Sequence, residues 1–133
     1  MPENNSIKKY NWKNKTILIA EDEISNFRYL EMVLHRTEVT IYWAKDGIEA
    51  IELCKKHIPD LILLDIKMPN MDGLEATRII KSLFPKIPIV IQTAYAMEND
   101  EQISYEAGCD AYLSKPIRAT TLLQIVGNFI DIK

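Results

Sequence analysis

No stretch of this chain is apolar for long enough to cross a bilayer, which takes about 20 residues. Leu61 to Leu64, among the longest unbroken apolar runs, is closed at once by Asp60 and Asp65. The opening residues, MPENNSIKKYNWKNK, are polar and hold no signal-peptide core, so a cytoplasmic location without membrane contact is expected. The sequons at Asn4 and Asn14 carry little meaning without a secretory signal. Cysteine is scarce: Cys54 and Cys109 stand far apart with no CxxC spacing, and they read as small buried hydrophobes with no redox role. Excess positive charge is missing too. The chain has a net charge of −3, and within it residues 1 to 15 set Lys8, Lys9, Lys13 and Lys15 against Glu3, a net +3 that leaves −6 for the rest. Such an acidic body lacks the footprint of a nucleic-acid binder, and the short basic arm reads as a solvated linker.

What is present is an ordinary globular composition, 47% hydrophobic and 26% charged over 133 residues, which suits one well-cored domain. Residues 1–15 read as an arm and 16–133 as the domain, with no repeat or low-complexity segment. Thr16 to Ala20, Leu61 to Asp65 and Ile87 to Thr93 are nearly continuous in apolarity, as parallel strands covered on both faces are. Thr40 to Ala44 and Ala111 to Ser114 are weaker strand candidates. Between them, Asn26 to His35 puts Phe27, Leu30, Val33 and Leu34 on one helical face, and Gly47 to Lys56 is read with Ile48, Ile51 and Leu53 inward. Leu74 to Leu83 is a third helix, stopped by Phe84-Pro85. Asp100 to Ala107 is a fourth, ended by Gly108 as a left-handed cap. Thr120 to about Ile130 is the last, offering Leu122, Leu123, Ile125, Val126 and Phe129. Five alternating strand–helix units predict a doubly wound α/β fold around a five-stranded parallel sheet. Ligands of such sheets bind beyond the carboxyl ends of the strands.

That edge is where the chemistry gathers. Glu21 and Asp22 follow the first strand and Asp65 closes the third, so adjacent strands would crowd three carboxylates together. Like charges in a partly buried site raise one another's pKa or require a cation, and an all-oxygen set favours a hard ion such as Mg²⁺. Thr93 at the end of the fourth strand and Lys115 beyond the fifth add a hydroxyl and an ammonium. This combination suits phosphoryl transfer, which is mostly positioning and charge neutralisation, with a carboxylate as acceptor. Asp72-Gly73 reads as a turn and Met68-Pro69 as a loop stiffener. His35 and His57 have no companions at suggestive spacing and receive no role.

Four runs, Ile17-Leu-Ile-Ala-Glu-Asp-Glu23, Leu63-Leu-Asp-Ile-Lys-Met-Pro-Asn-Met-Asp-Gly73, Gln92-Thr-Ala94 and Leu113-Ser-Lys-Pro116, closely resemble the response-regulator receiver family over about residues 16 to 131. Each is modest alone, but all four fall in order at predicted strand ends. The resemblance implies a flavodoxin-like strand order, 2-1-3-4-5, and Asp65 as phosphoacceptor. It implies Mg²⁺ (or Mn²⁺) held by Asp22 and Asp65 directly, by Glu21 through water, and by the backbone carbonyl of Lys67. Thr93 and the Ala94 amide would bind phosphoryl oxygens, Lys115 would pair with Asp65 across a cis Lys115-Pro116 bond, and Thr93 with Tyr112 would form the switch. Lys67 and Tyr95 would flank the path of attacking water. Glu21 departs from the family, where Asp is commoner.

The implied partner is a histidine kinase or phosphotransfer domain, with dimerisation or a target served by the face of helix 4, strand 5 and helix 5. The resemblance fits a non-enzymatic signalling domain that supports its own phosphorylation and dephosphorylation. Its setting is a stand-alone regulator or the receiver of a hybrid histidine kinase, and Tyr10, Trp12 and the Ser25-Asn26 pair lean toward the latter. Two rival readings remain open, a degenerate receiver that only binds protein and a small aspartyl-phosphate phosphohydrolase. Against the second, Lys67 stands where haloacid-dehalogenase-like phosphatases carry another Asp.

Overall fold

The protein is described by a computed structural model over residues 10–94 and 98–131. In chain order the elements are β1 (Thr16–Ala20), α1 (Ile24–His35), β2 (Thr40–Ala44), α2 (Gly47–His57), β3 (Leu61–Asp65), α3 (Gly73–Leu83), β4 (Ile89–Thr93), α4 (Asp100–Ala107), β5 (Ala111–Ser114) and α5 (Ala119–Ile130). All strand pairs are parallel and the order across the sheet is β2-β1-β3-β4-β5, as expected. β4 begins at Ile89, two residues later than the apolar run suggests. Pro88 has no N–H to donate and contributes only its carbonyl, which accepts from the Ile62 N–H at 3.0 Å.

Strand residues alternate between two cores. Ile17, Ile19, Leu61, Leu63 and Val90 meet Phe27, Leu30 and Leu34 of α1 and Leu122, Val126 and Ile130 of α5. Leu18, Ala20, Ile62, Leu64, Ile89 and Ile91 face the other way, against Ala50 and Cys54 of α2 and Ala76 and Ile80 of α3. Burial on both faces is why β1 and β3 read as unbroken apolar runs. Cys54 and Cys109 are free and buried, as expected, and desolvation pushes each thiol up to about 11.

The inward face of α2 differs from its sequence reading. Gly47, Ala50 and Cys54 are its buried residues, and Ile51 and Leu53 pack half-buried against the same core as expected, whereas Ile48 is exposed. The start of the helix sets this phase: Asp46 accepts the Glu49 N–H at 2.8 Å, and Gly47 donates to the Met71 carbonyl at 3.0 Å. A Cβ at position 47 would come within 2.6 Å of that carbonyl oxygen, so a small residue has to lie here. Gly108 takes the left-handed cap expected of it, at φ 115°.

At the amino-terminal edge of the sheet, acids are used up on backbone donors. Asp60 accepts the Thr16 N–H at 2.8 Å, and Asp110 accepts the Ile89 N–H at 2.8 Å. Lys81 joins this edge, 2.8 Å from Asp110 and 2.8 Å from the Ile87 carbonyl. Residues before β1 also pack onto the domain. Trp12 is 1% exposed; its backbone N–H donates to the Thr37 carbonyl at 2.8 Å and its indole N–H to Asp131 at 2.9 Å. Tyr10 stacks obliquely beside it and lies against Gly127 of α5.

Trp12→Ala should therefore lower unfolding stability by about 3–5 kcal/mol in a urea titration, as loss of a buried tryptophan does. A change near zero would show that Trp12 contributes nothing to the fold.

Candidate functional site

The site begins with Glu21, the first residue past β1. Its N–H donates to the Ala44 carbonyl at 2.9 Å, and its own carbonyl accepts the Trp43 indole N–H at 2.7 Å. Trp43 stacks on Phe27 with centroids 4.1 Å apart, so β2 and α1 together fix the backbone from which the Glu21 side chain departs. That side chain is fully buried. One carboxylate oxygen accepts the Glu23 N–H at 3.1 Å and the other accepts Lys115 Nζ at 2.7 Å.

Asp65 ends β3 at 7% exposure, and Lys115 reaches it as well, at 3.1 Å. The ammonium thus spans Glu21 and Asp65. Asp22 is exposed, yet it offers a carboxylate oxygen within 4.8 Å of those of Glu21 and Asp65. The electrostatics follow from this crowding. Burial pushes the Glu21 carboxyl up, Lys115 pulls it down, Asp65 pushes it up again, and the net direction is upward. For Lys115, burial alone would lower the ammonium, but Glu21 and Asp65 outweigh it and hold the group above the ordinary lysine range.

The loop after β3 is held against the strand. Gly73 donates to the Ile66 carbonyl at 2.7 Å, and a Cβ at position 73 would lie 2.0 Å from the Asp65 carbonyl oxygen. Only glycine fits. Asp72 caps α3 by accepting the Glu75 N–H at 2.9 Å. Asn70, at φ 67°, donates its amide to Asp46 at 2.7 Å, which ties this loop to the start of α2. The Glu49 N–H and then the Asn70 amide hold the Asp46 carboxyl below its usual range.

Thr93, buried at the end of β4, accepts the Lys115 N–H on its carbonyl at 2.8 Å. Asp22, Glu23, Asp65, Lys67, Ala94 and Lys115 line a cavity of about 170 Å³. Lys67 and Ala94 are exposed at its border. Tyr112 of β5 is half-buried among the core residues on the α2 and α3 side, and its hydroxyl has no hydrogen-bond partner among the described residues. The Lys115-Pro116 bond is cis. Tyr95 lies outside the described residues. Glu21, Asp22, Asp65, Thr93, Ala94 and Lys115 are thus gathered at one edge of the sheet, as the sequence suggests. Trp43 and the Asp46–Asn70 bond are features that the sequence reading misses, because nothing local in a weak strand or a loop announces them. His57 has no catalytic company; it stacks on Tyr42 at 3.7 Å.

Three carboxylates supply only hard oxygen donors, a set suited to a divalent cation such as Mg²⁺, and the buried members gain most from added positive charge. Residues 17–127 match the family described as the response regulator receiver domain. The chain is 33% identical over 118 residues to the polar-differentiation response regulator DivK of Brucella anthropi, covering 87% of this chain and 96% of that one. Its fold is similar to the receiver domain of a sensor histidine kinase from Pseudomonas aeruginosa, solved with a magnesium ion coordinated in the active-site cleft. There the TM-score is 0.82 at 31% identity, over 89% of this chain and 98% of the other. A further similar structure is the receiver domain of the Saccharomyces cerevisiae response regulator Ssk1, solved with the histidine phosphotransfer protein Ypd1. Its TM-score is 0.81 at 26% identity, over 88% and 89% of the two chains.

Removing the ammonium would leave Glu21 and Asp65 facing each other. In cation-free buffer, Lys115→Met should lose about 3 kcal/mol of stability at pH 8. The loss should shrink as pH falls. Without Lys115 the folded-state pKa of Glu21 rises further above 4.5, so below it the folded protein takes up the proton and the repulsion ends. Urea midpoints at pH 8 and pH 5 check this, and a deficit that is equal at both would refute the charge argument.

Proposed function

The chain belongs to the response regulator receiver family of two-component signalling, and from that premise we propose that Asp65 is its phosphoacceptor. The observation that carries this reading is a nearly buried strand-end carboxylate, paired with Lys115 and opening on a cavity it shares with Asp22. A carboxylate oxygen of Asp65 attacks the phosphorus of a phosphohistidine. The new O–P bond forms as the P–N bond breaks, and the electron pair stays with the imidazole nitrogen. Lys115, already beside Asp65, then pairs with the phosphoryl oxygens, and the Thr93 hydroxyl and Ala94 amide donate to them. Glu21, Asp22 and Asp65, with the Lys67 backbone carbonyl, would hold Mg²⁺ or Mn²⁺, which when bound neutralises charge on the transferring oxygens.

Thr93 and Tyr112 form the switch in this reading, and the α4, β5 and α5 face carries the signal to a second copy or a target. The phosphodonor is a histidine kinase or phosphotransfer domain. The Ssk1 receiver, which binds a histidine phosphotransfer protein, supports that choice. A kinase receiver among the similar folds is consistent with a hybrid-kinase setting. The reading also takes residues 16–133, with Trp12 of the preceding arm packed into their core, as the working domain and the cytoplasm as its location. Among the described residues no helix is long and apolar enough to cross a membrane.

With Mg²⁺ and a small phosphodonor, the parent should gain one phosphoryl group by intact-protein mass spectrometry, and Asp65→Asn should gain none. Full modification of Asp65→Asn, or an unmodified parent under several donors, would remove Asp65 from this role. Lys67 and Tyr95 are proposed to shield the product from water. The large side chains would cover the phosphoryl group and offer no base to orient attack, which makes for a long-lived signal. Lys67→Ala and Tyr95→Ala should each speed phosphoryl loss severalfold once the donor is removed. Decay at the parent's rate in both would show that neither guards the site.

A further inference from the structure

Beside the acid cavity lies a second and larger hollow of about 470 Å³, between α1 and the connection from β5 to α5. Its volume is that of a small-molecule site, for which about 300–1,000 Å³ is usual. Tyr29 and Leu30 on one side and Pro116 and Ile117 on the other give it apolar walls. Those walls are tied together, since the Tyr29 hydroxyl donates to the Ile117 carbonyl at 2.6 Å. Glu23, Ala94 and Lys115 border both hollows.

Gln92 is the unexpected member. It is the register partner of Asp65 and is 1% exposed, in a position where a strand buried on both faces calls for an apolar side chain. Its amide nitrogen is buried with no hydrogen-bond acceptor among the described residues. An unsatisfied buried donor is costly to the fold unless something else supplies the acceptor. The terminal torsion of a glutamine is soft, so rotation about it can present the amide nitrogen to the hollow that Gln92 lines. An occupant with an acceptor oxygen would remove the cost. It should be neutral, because the Glu23 carboxylate lines the hollow and the Lys115 ammonium is engaged by Glu21 and Asp65.

We propose that this hollow binds a small neutral molecule with an apolar body and one carbonyl-type acceptor, which takes its hydrogen bond from the Gln92 amide. The molecule lies against Pro116 and Ile117, directly after Lys115, so occupancy acts on the lysine from behind. Binding needs no phosphoryl group, so it stands or falls separately from the role given to Asp65.

The test titrates isotope-labelled protein with N-benzylacetamide, an aromatic body carrying one amide carbonyl, and follows backbone NMR shifts. Saturable shifts should centre on Asn26, Tyr29, Gln92 and Ile117. In Gln92→Leu the affinity should fall by roughly threefold to tenfold, the worth of one hydrogen bond. Gln92→Met, closer in length, serves if the leucine variant does not fold. The titration is run without phosphodonor, so binding is read on the unphosphorylated protein. Scattered or non-saturating shifts, or an affinity unchanged by loss of the Gln92 amide, would each overturn the proposal.

Discussion

Parallel strands carry their last residues to one edge, and at that edge this protein holds Glu21 and Asp65 on neighbouring strands with a single ammonium between them. Much of the remaining architecture keeps this arrangement in place. Two buried carboxylates repel each other and would take up protons or drive the strand ends apart. Lys115 prevents both at neutral pH, and it can do so only because β5 lies beyond β4 at the correct height, where the Lys115 N–H meets the Thr93 carbonyl. The arrangement is under load: burial first, and Asp65 after it, push the Glu21 carboxyl up against the pull of Lys115. Positive charge added beside such a pair would relieve that load.

The load is carried by contacts that take no part in chemistry. Trp43 holds the Glu21 carbonyl from one side, and Gly73 lets the loop after β3 lie directly on the Asp65 carbonyl. Asp46 and Asn70 then fasten that loop to the start of α2. Each bond is ordinary, but together they leave the acid cluster little freedom to relieve its repulsion by moving. Pre-organisation of this kind is what makes electrostatic catalysis effective, since charge reorganises during the reaction and the protein need not.

Much of this was legible in the sequence, and the reasons are physical. Strands covered on both faces must be apolar throughout, so β1 and β3 stood out, and alternation with amphipathic segments fixed the doubly wound plan. Asp60 and Asp65 flank the same run, Leu61–Leu64, and composition does not distinguish them. Chain direction does: Asp60 leads the strand and is used on the Thr16 N–H, whereas Asp65 ends it and joins the acids. In α2 hydrophobicity favours Ile48 inward, yet close approach to Met71 puts Gly47 there, and that contact arises only in three dimensions. The contacts of Trp43 and Gln92 are not legible for the same reason. An indole in a half-buried strand or an amide in a core strand takes its meaning from partners brought in by other elements.

The two edges of the sheet put the same residue types to opposite uses. At the amino-terminal edge Asp60 joins β3 to β1, and Asp110 with Lys81 ties β5, β4 and the end of α3 into one brace. At the carboxyl edge an aspartate and a lysine face a cavity, where Asp65 and Lys115 meet beside Asp22. Charge at the strand starts is spent as a fastener, and charge at the strand ends is kept open to whatever enters the cavity.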